Sequence, residues 1–504
     1  MMRVALNSLL LSVVLWMVGP AQAETLRTVQ TGNITPLLNP FSSLAQGITN
    51  PQAMIHDMLT YVSTDGTLQP GLAIAWSSIG PTTWRISLRP NVRYSNGRAV
   101  TAEVIAKTIA YLKSDAAKRY VISGEVRTIK STHVIDDLTI DVETHEPDVL
   151  LPRRFGTIPM PEPYLYEELG PDDFSLAPVG TGSYVVEAWN LDSQQPLLVA
   201  NPDSWRAPVE IDRVEMRLVK DAGTQVQALM SGLVDMGYNL GIVELEVLES
   251  MGFRTEVQPG GQISALAFSN RDPESPFSDQ RVRQAMNYAV NTQEIADIIM
   301  MGTTQPAGQP GVATMAGYNP NVGPYPYDLE KARALLAEAG YADGLSFRAE
   351  VLAGGGAVES TTIYLKVAQD LAKVGITMEV QPLQGVQWIQ KYFSGEWDQA
   401  DAISATWNGA SYWDVSRAIE IFSCKKPGAF FCAPELMPAI NASHGMFDAH
   451  ERDQTLQDLS QKMHDLAPAI FLVQLVDIVT VSPRLGPLTY RHKQLAVDQL
   501  RLAE

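Results

Sequence analysis

The residues that could break a bond are few in this sequence, and they complete no catalytic motif. Ser411 follows Gly409 as in half of a GxSxG nucleophile motif, and Ser346 follows Gly344 in the same way. The pair His145-Glu146 lacks the second histidine of a zinc protease, and the Gly-Lys pair of a phosphate-binding loop does not occur. A secreted hydrolase with Ser411 as nucleophile therefore stays an alternative, without an identified base.

The two cysteines, Cys424 and Cys432, could form a disulfide or act as nucleophiles. An even count in an exported chain favours a disulfide, and a reactive thiol is the alternative. No histidine lies between or beside them, so a metal site is not expected there. We expect the chain to use no metal and no cofactor.

The N-terminus has the pattern of a secretory signal peptide. Arg3 precedes the apolar stretch 4–18, and Ala21-Gln22-Ala23 supplies the small residues that a signal peptidase needs. Cleavage before Glu24 would leave 481 residues (504 − 23) in the periplasm, enough for roughly two or three domains. No cysteine follows the cleavage site, so a lipid anchor is not expected.

The charge balance excludes one class of partner. The formal net charge is −19, whereas a protein that binds nucleic acid needs a basic face. Acidity by itself names no partner and mainly keeps an exported protein soluble.

Strands and helices alternate along the chain, which predicts an α/β protein of at least two lobes. Residues 84–88 alternate in polarity as a half-buried strand does, and Asn96-Gly97 is typical of a hairpin turn. Helices are predicted after the capping residues Thr101, Ser278 or Asp279, and Asp328. The proline-rich segment 159–181 is predicted to be a connection between domains.

Four ordered stretches resemble the family 5 extracellular solute-binding proteins of ABC importers, the dipeptide- and oligopeptide-binding group. They are LQPGLAIAW…SNGRAVTAEVI (68–105), PVGTGSYVVEAW with NPDSW (178–189 and 201–205), QALMSGLVDM (227–236), and SDQRVRQAMNYAVNTQEI continuing to YDLEKARALLAEAGYADG (278–295 and 327–344). FSC…FC at 422–432 also resembles the disulfide loop of the dipeptide-binding branch.

The resemblance implies a periplasmic binding protein fold of two lobes with an extra domain, a cleft between the lobes and a hinge that the chain crosses twice. On that template residues 24–60, 176–268 and 475–504 form the first lobe. Residues 61–175 form the extra domain, and residues 269–474 form the second lobe. Asn270 is expected to serve the hinge.

The resemblance also implies where a solute binds, because segment 406–414 (TWNGASYWD) matches the ligand-facing loop of the family. The expected ligand contacts are Asn33, Thr35, Trp388, Trp407, Asn408, Tyr412, Trp413, Asp414 and Arg417. Each has a structural alternative: the tryptophans can belong to the core of a lobe, and Asn33 and Thr35 can shape a turn. Asp414 can cap the next helix, and Arg417 can pair with it.

Two departures from the family bear on the solute. Peptide-binding members place an aspartate where this chain has Ala410, and dipeptide-binding relatives carry an arginine where this chain has the loop AGGGAVES (353–360), which contains no cation. A buried charge without a partner is costly, so both changes disfavour an ordinary zwitterionic dipeptide. A modified peptide, an opine-like amino-acid conjugate or a sugar derivative fits better.

The expected function is therefore delivery of such a solute to the permease subunits of an ABC importer, by a monomer without enzymatic activity. A peptide-holding periplasmic chaperone and a haem or metal carrier are further alternatives.

Overall fold

The computed structural model describes residues 24–30, 38–42, 51–63, 65–190, 195–219, 221–238, 240, 242–353, 359–397, 400–421, 423–424, 430–491 and 494–503. The predicted signal peptide, Asn33, Thr35 and most of the loop at 353–360 lie outside these residues. Within the described ranges, no helix is both long and apolar enough to cross a bilayer.

Strands and helices alternate as the sequence predicts. The strands are β1 (Thr25–Gln30), β2 (Thr60–Val62), β3 (Leu68–Pro70), β4 (Ala73–Gly80), β5 (Thr83–Leu88), β6 (Ile129–Asp136), β7 (Thr139–Thr144), β8 (Tyr184–Asn190), β9 (Gln195–Ala200), β10 (Arg213–Leu218), β11 (Met236–Tyr238), β12 (Arg254–Phe268), β13 (Leu345–Ala353), β14 (Ile376–Gln384), β15 (Ala402–Asn408), β16 (Ala469–Val481), β17 (Tyr490–Arg491) and β18 (Gln494–Leu495). The helices are α1 (Pro51–Ile55), α2 (Ala102–Lys113), α3 (Leu151–Arg154), α4 (Pro163–Leu176), α5 (Ala222–Met230), α6 (Ile242–Ser250), α7 (Gln280–Ala289), α8 (Thr292–Glu294), α9 (Leu329–Glu338), α10 (Glu359–Ala372), α11 (Gly385–Ser394), α12 (Val415–Ile421), α13 (Met437–Ser443) and α14 (Ala449–Leu466).

One large sheet runs through both lobes, in the strand order β14-β13-β15-β12-β16-β11-β1-β10-β9-β8. Its two long central strands, β12 and β16, pair with each other along most of their length. The end of β12 pairs with β15 of the second lobe, while the end of β16 pairs with β11 of the first lobe. The chain therefore passes between the lobes twice, once in each long strand, as the resemblance implies.

The pairing of these two strands is interrupted halfway. The register shifts between Pro259 and Gln262, because Pro259 has no N–H to donate to the ladder and Gly261 has a left-handed backbone with φ 64°. A Cβ on Gly260 would lie 2.6 Å from the carbonyl oxygen of Leu475, so only glycine fits where the two strands meet. We call this interruption at 259–262, about ten residues before Asn270, the hinge.

Asn270 makes two hydrogen bonds to the disulfide loop, and its expected role at the hinge stays a prediction. Its side-chain amide donates to the carbonyl of Cys432 at 2.7 Å and accepts from the Cys432 N–H at 2.9 Å. Cys424 and Cys432 form the expected disulfide. Asn270 therefore holds the end of the disulfide loop on the second lobe.

The extra domain has its own sheet and core. Its strands follow the order β4-β5-β7-β6, and the predicted apolar stripe of α2 is buried against them. The domain boundaries proposed from the resemblance remain predictions, because a sheet that continues from one lobe into the other has no break at residue 268 or 474.

Segment 159–181 contains the helix α4 rather than a simple connection. The Glu162 carboxylate accepts from the N–H groups of Tyr164 and Leu165, and Pro163 occupies the first helical position, where its missing N–H is no loss. This helix was not predicted from the sequence; that the segment connects two domains stays a prediction.

Candidate functional site

Strand ends from both lobes face the hinge. In the second lobe β13, β14 and β15 are parallel and end at Ala353, Gln384 and Asn408; Asn408 pairs with Gln262 beside the hinge. In the first lobe β1, β10 and β11 are parallel, and β11 runs along β16 towards the hinge. Ligands of α/β proteins bind outside the carboxyl ends of strands, so the gap between the lobes is the candidate site.

Segment 406–417 leaves β15 at this edge, as the resemblance implies, but two of its residues are used inside the lobe. Trp407 is fully buried and packs on Phe471, with ring centroids 5.3 Å apart. Asp414 accepts from the Ser416 N–H at 3.0 Å, which caps α12. In this conformation Trp407 is therefore a core residue of the lobe, and Asp414 is a helix cap.

Asp414 also forms a buried ion pair that the sequence analysis missed. Its Oδ2 accepts from Nη1 of Arg452 at 2.6 Å. Burial alone would raise the pKa of Asp414, but Arg452 and Ser416 hold the pKa below its ordinary value. The partner is thus Arg452 of α14, not Arg417. Arg417 instead donates to the carbonyl of Asn408 at 2.9 Å.

Trp413 is the most strained residue of the segment. It has φ 53°, a left-handed conformation that is rare for an aromatic residue. Its indole N–H donates to Oγ1 of Thr314 at 3.0 Å. Beside it, Ala410 is fully buried next to Gly261 and presents no polar group to the gap.

Tyr412 reaches from the second lobe into the extra domain. Its hydroxyl accepts from Nη1 of Arg154 at 2.7 Å and donates to Glu125. Burial and the Glu125 carboxylate raise the pKa of Tyr412 well above its usual value, so the hydroxyl keeps its proton. Tyr412 therefore links two domains rather than standing free in the gap.

Arg153 completes this contact and was not predicted from the sequence. It donates to the Tyr412 carbonyl at 2.7 Å and to the Gly66 carbonyl at 3.0 Å. Burial lowers the pKa of Arg153, and Asp414 opposes that effect. The dipeptide Arg153-Arg154 precedes the predicted connection at 159–181 and belongs to no motif, so only the folded chain identifies its role.

Three further predicted contacts, Trp388, Asn408 and Arg417, stand at the edge of the gap. Trp388 lies in the first turns of α11, directly after the end of β14, and is partly buried against Tyr392 with ring centroids 5.0 Å apart. Its indole nitrogen is buried without a hydrogen-bond partner among the described residues. Asn408 and Arg417 are also partly exposed. Asn33 and Thr35 lie outside the described residues.

A cavity of about 820 Å³ opens between the first lobe, the extra domain and the C-terminal segment. Its lining includes Tyr61 and Ser63 from the extra domain, Trp205 from the first lobe, and Tyr490 near the C-terminus. Ser63 belongs to the turn whose Gly66 packs against Trp413, so this turn stands between the cavity and segment 406–414. The volume is in the range of small-molecule sites.

Among the residues that the structure describes, no group of three or more His, Cys, Asp and Glu side chains could hold a metal ion.

Two lobes that share two hinge strands, with strand ends facing one gap, define a protein that closes on a small molecule. The chain belongs to the bacterial extracellular solute-binding proteins, family 5, whose model matches residues 67–429.

Relatives and solved structures agree with this assignment. The chain is 26% identical to the nickel-binding periplasmic protein of Escherichia coli over 335 residues, which are 64% of this chain and 62% of that protein. It is 26% identical to the glutathione-binding protein of Pectobacterium atrosepticum over 413 residues, 77% of each chain. Its match thus spans less than two thirds of the nickel-binding relative.

The fold matches solved binding proteins over nearly the whole chain. NikA from Brucella suis, solved with Fe(III)-EDTA, has a TM-score of 0.83 at 21% identity, and the match covers 95% of this chain and 100% of that one. AgaA from A. tumefaciens, solved with agropinic acid, has a TM-score of 0.76 at 19% identity, with 95% and 99% covered. These likenesses establish the two-lobed fold.

Proposed function

We propose that this protein is the periplasmic solute-binding component of an ABC importer and carries a peptide-like or modified amino-acid solute, such as an opine-like conjugate, between its lobes. The observation that carries the proposal is the pair of shared strands β12 and β16, interrupted at Pro259–Gly261. Such a pair lets two rigid halves close on a solute and open again.

The proposed solute class follows from the absence of an available carboxylate in segment 406–414. Asp414, which a ligand ammonium could have used, is already paired with Arg452, and Ala410 carries no charge. An ordinary dipeptide would leave its ammonium without a carboxylate in this segment. Relatives are described as binding glutathione, and a structural neighbour holds agropinic acid; both are compatible with a modified solute here.

The proposed contacts are those that reach the edge of the gap, Trp388, Asn408 and Arg417, together with Asn33 and Thr35 after β1. Tyr412 and Trp413 are proposed to shape the wall. Trp407 and Asp414 are proposed to affect the solute only indirectly, by supporting the residues that form this wall.

The remaining parts of the proposal concern place and partners. Cleavage after Ala23 would release the protein into the periplasm as a monomer, which then docks on the permease subunits. No bond is made or broken: Ser411, the nucleophile of the hydrolase alternative, is fully buried. Turnover of ester, amide or glycoside substrates that Ser411→Ala abolishes would overturn this part.

The test is to recover the solute itself. Protein purified without denaturant is precipitated, and the released small molecules are identified by mass spectrometry against a mock purification. Unfolding and refolding strips the solute, and adding it back at a hundred times its Kd should stabilise the fold by about 2.7 kcal/mol. Protein that releases no solute and gains no stability from a periplasmic extract would contradict the proposal.

A further inference from the structure

The hairpin of β2 and β3 packs into the core of the second lobe, although it belongs to the other half of the molecule. Val62 and Leu68 stand opposite each other across this hairpin, so their side chains share one face. Val62 is fully buried in the apolar core of the second lobe, and Leu68 packs against the same core. Tyr61 and Gln69, one position away on each strand, line the cavity beside the first lobe.

The base of the hairpin is fixed outside the second lobe. The Tyr61 hydroxyl donates to Asp57 at 2.7 Å and accepts from Arg206 of the first lobe at 2.8 Å. The Thr60 hydroxyl donates to the carbonyl of Pro152 in the extra domain at 2.6 Å. The base therefore has to move with the first lobe and the extra domain.

The tip of the hairpin fits closely against the second lobe at Gly66. This glycine has φ 85°, and a Cβ on it would lie 2.7 Å from the carbonyl oxygen of Thr314 and 3.0 Å from Cδ1 of Trp413. The Asp65 carboxylate accepts from the Thr67 N–H at 2.9 Å and holds the turn in this shape. A larger residue at position 66 would push the tip away from the second lobe.

We infer that the β2–β3 hairpin is a clasp that holds the second lobe against the rest of the molecule and opposes opening at the hinge. Separation of the lobes would pull Val62 and Leu68 out of the core and expose their apolar side chains to water, which is unfavourable. The inference rests on the proposed function and adds the element that controls how readily the solute leaves. Val62, Gly66 and Leu68 are positioning residues, because they act through the lobes and not on the solute.

One backbone hydrogen bond reports whether the lobes stay joined. The Val149 N–H of the extra domain donates to the carbonyl of His444 in the second lobe at 2.9 Å. Its deuterium exchange requires this contact to open, so the exchange rate follows the fraction of molecules with separated lobes. The Leu88 N–H donates to the Leu138 carbonyl at 2.7 Å within the extra domain and reports unfolding of that domain instead.

The test compares exchange at these two amides in protein stripped of solute. Leu68→Ala removes most of one apolar contact of the clasp. We expect the Val149 amide to exchange about 10-fold faster, which corresponds to about 1.4 kcal/mol, and the Leu88 amide to keep its rate. Leu233→Ala makes the same change at a first-lobe leucine that is 48% exposed and should alter neither rate.

A second variant tests the tip. The methyl group of Gly66→Ala would meet Thr314 and Trp413, whereas Gly97→Ala places the same group at the same φ of 85° in open space. The two variants therefore share the backbone strain and differ in the contact with the second lobe. The Val149 amide should exchange faster in Gly66→Ala than in Gly97→Ala.

The outcomes separate the clasp from the binding function. Faster exchange at Val149 but not at Leu88, in both clasp variants and in neither control, supports the clasp. An unchanged rate at Val149 in Leu68→Ala, or an equal rise at Val149 and Leu88, overturns it. Neither result depends on the recovery of a solute by mass spectrometry, so the clasp can fail while solute binding stands.

Discussion

Gly261 of the hinge strand lies directly against the indole ring of Trp413. A Cβ built on Gly261 would be 2.8 Å from Cζ3 of Trp413. Both residues have left-handed backbones, with φ 64° and 53°. The interruption of β12 and the segment at the edge of the gap are therefore packed as one unit, and motion at the hinge must move Trp413.

Replacing Gly261 by alanine tests this packing. The methyl group would meet the indole and would also occupy a left-handed backbone, so we expect a loss of about 2–4 kcal/mol in the free energy of unfolding. Gly97→Ala is the control, because Gly97 has φ 85° with open space around its Cα. Urea unfolding should show a clearly smaller loss for the control; equal losses would mean that the contact with Trp413 contributes nothing.

The buried pair of Asp414 and Arg452 should be needed for folding rather than for solute contact. Asp414→Asn leaves the Arg452 charge without its partner, and we expect a loss of about 3–5 kcal/mol. The exposed pair of Asp115 and Lys118 is the control, and Asp115→Asn should change little. A normal melting temperature combined with lost solute affinity would instead make Asp414 a ligand contact.

The pH dependence of the Asp414 contribution has a definite sign. Since its folded pKa lies below the ordinary value, the stabilisation is complete above the unfolded pKa. It is lost as the pH falls through the folded pKa.

The Tyr412 hydroxyl should hold the extra domain against the second lobe. Tyr412→Phe removes bonds to Arg154 and Glu125, so we expect the contact between the extra domain and the second lobe to weaken by about 1–3 kcal/mol and the solute to dissociate faster. Tyr364→Phe is the control, because the Tyr364 hydroxyl donates to the Ala265 carbonyl at 2.9 Å within the second lobe. Stopped-flow release should speed up only in Tyr412→Phe; the same rate in both variants would contradict a role between domains.

His56 should make the fold sensitive to acid. It is buried beside Phe174, and neither ring nitrogen has a hydrogen-bond partner among the described residues. Burial lowers the pKa of His56 to about 3, although Asp57 opposes the shift. Below pH 6.5 the unfolded chain therefore binds a proton on His56, whereas His56 of the folded chain stays neutral until the pH approaches 3.

Stability should consequently fall as the pH drops from about 6 towards 3, by about 1.4 kcal/mol per pH unit from this residue alone. His56→Asn should flatten that slope in urea titrations at several pH values. His133→Asn, on an exposed strand, should not. Parallel slopes for wild type and His56→Asn would show that His56 is protonated in the folded protein.

Local elements followed closely from the sequence, because their signals involve neighbours in the chain. The apolar stripe of α2 predicted its buried face, and Asp279 and Asp328 cap α7 and α9 through their side chains as predicted. The helix inside segment 159–181 was not predicted, because proline stops a helix in its interior but favours its first turn, and here the Glu162 cap places Pro163 in the first turn.

The sequence by itself determined the family, the two-lobed α/β fold and the disulfide between Cys424 and Cys432, since these rest on ordered motifs and on residue types that have few alternatives. Only the tertiary structure decided the use of individual polar side chains. Asp414 pairs with Arg452 from α14, and Tyr412 bonds to Arg154 of the extra domain. Each of these two contacts depends on a partner 38 or more residues away in the chain, and a charge acts on whatever the fold brings within a few ångströms of it.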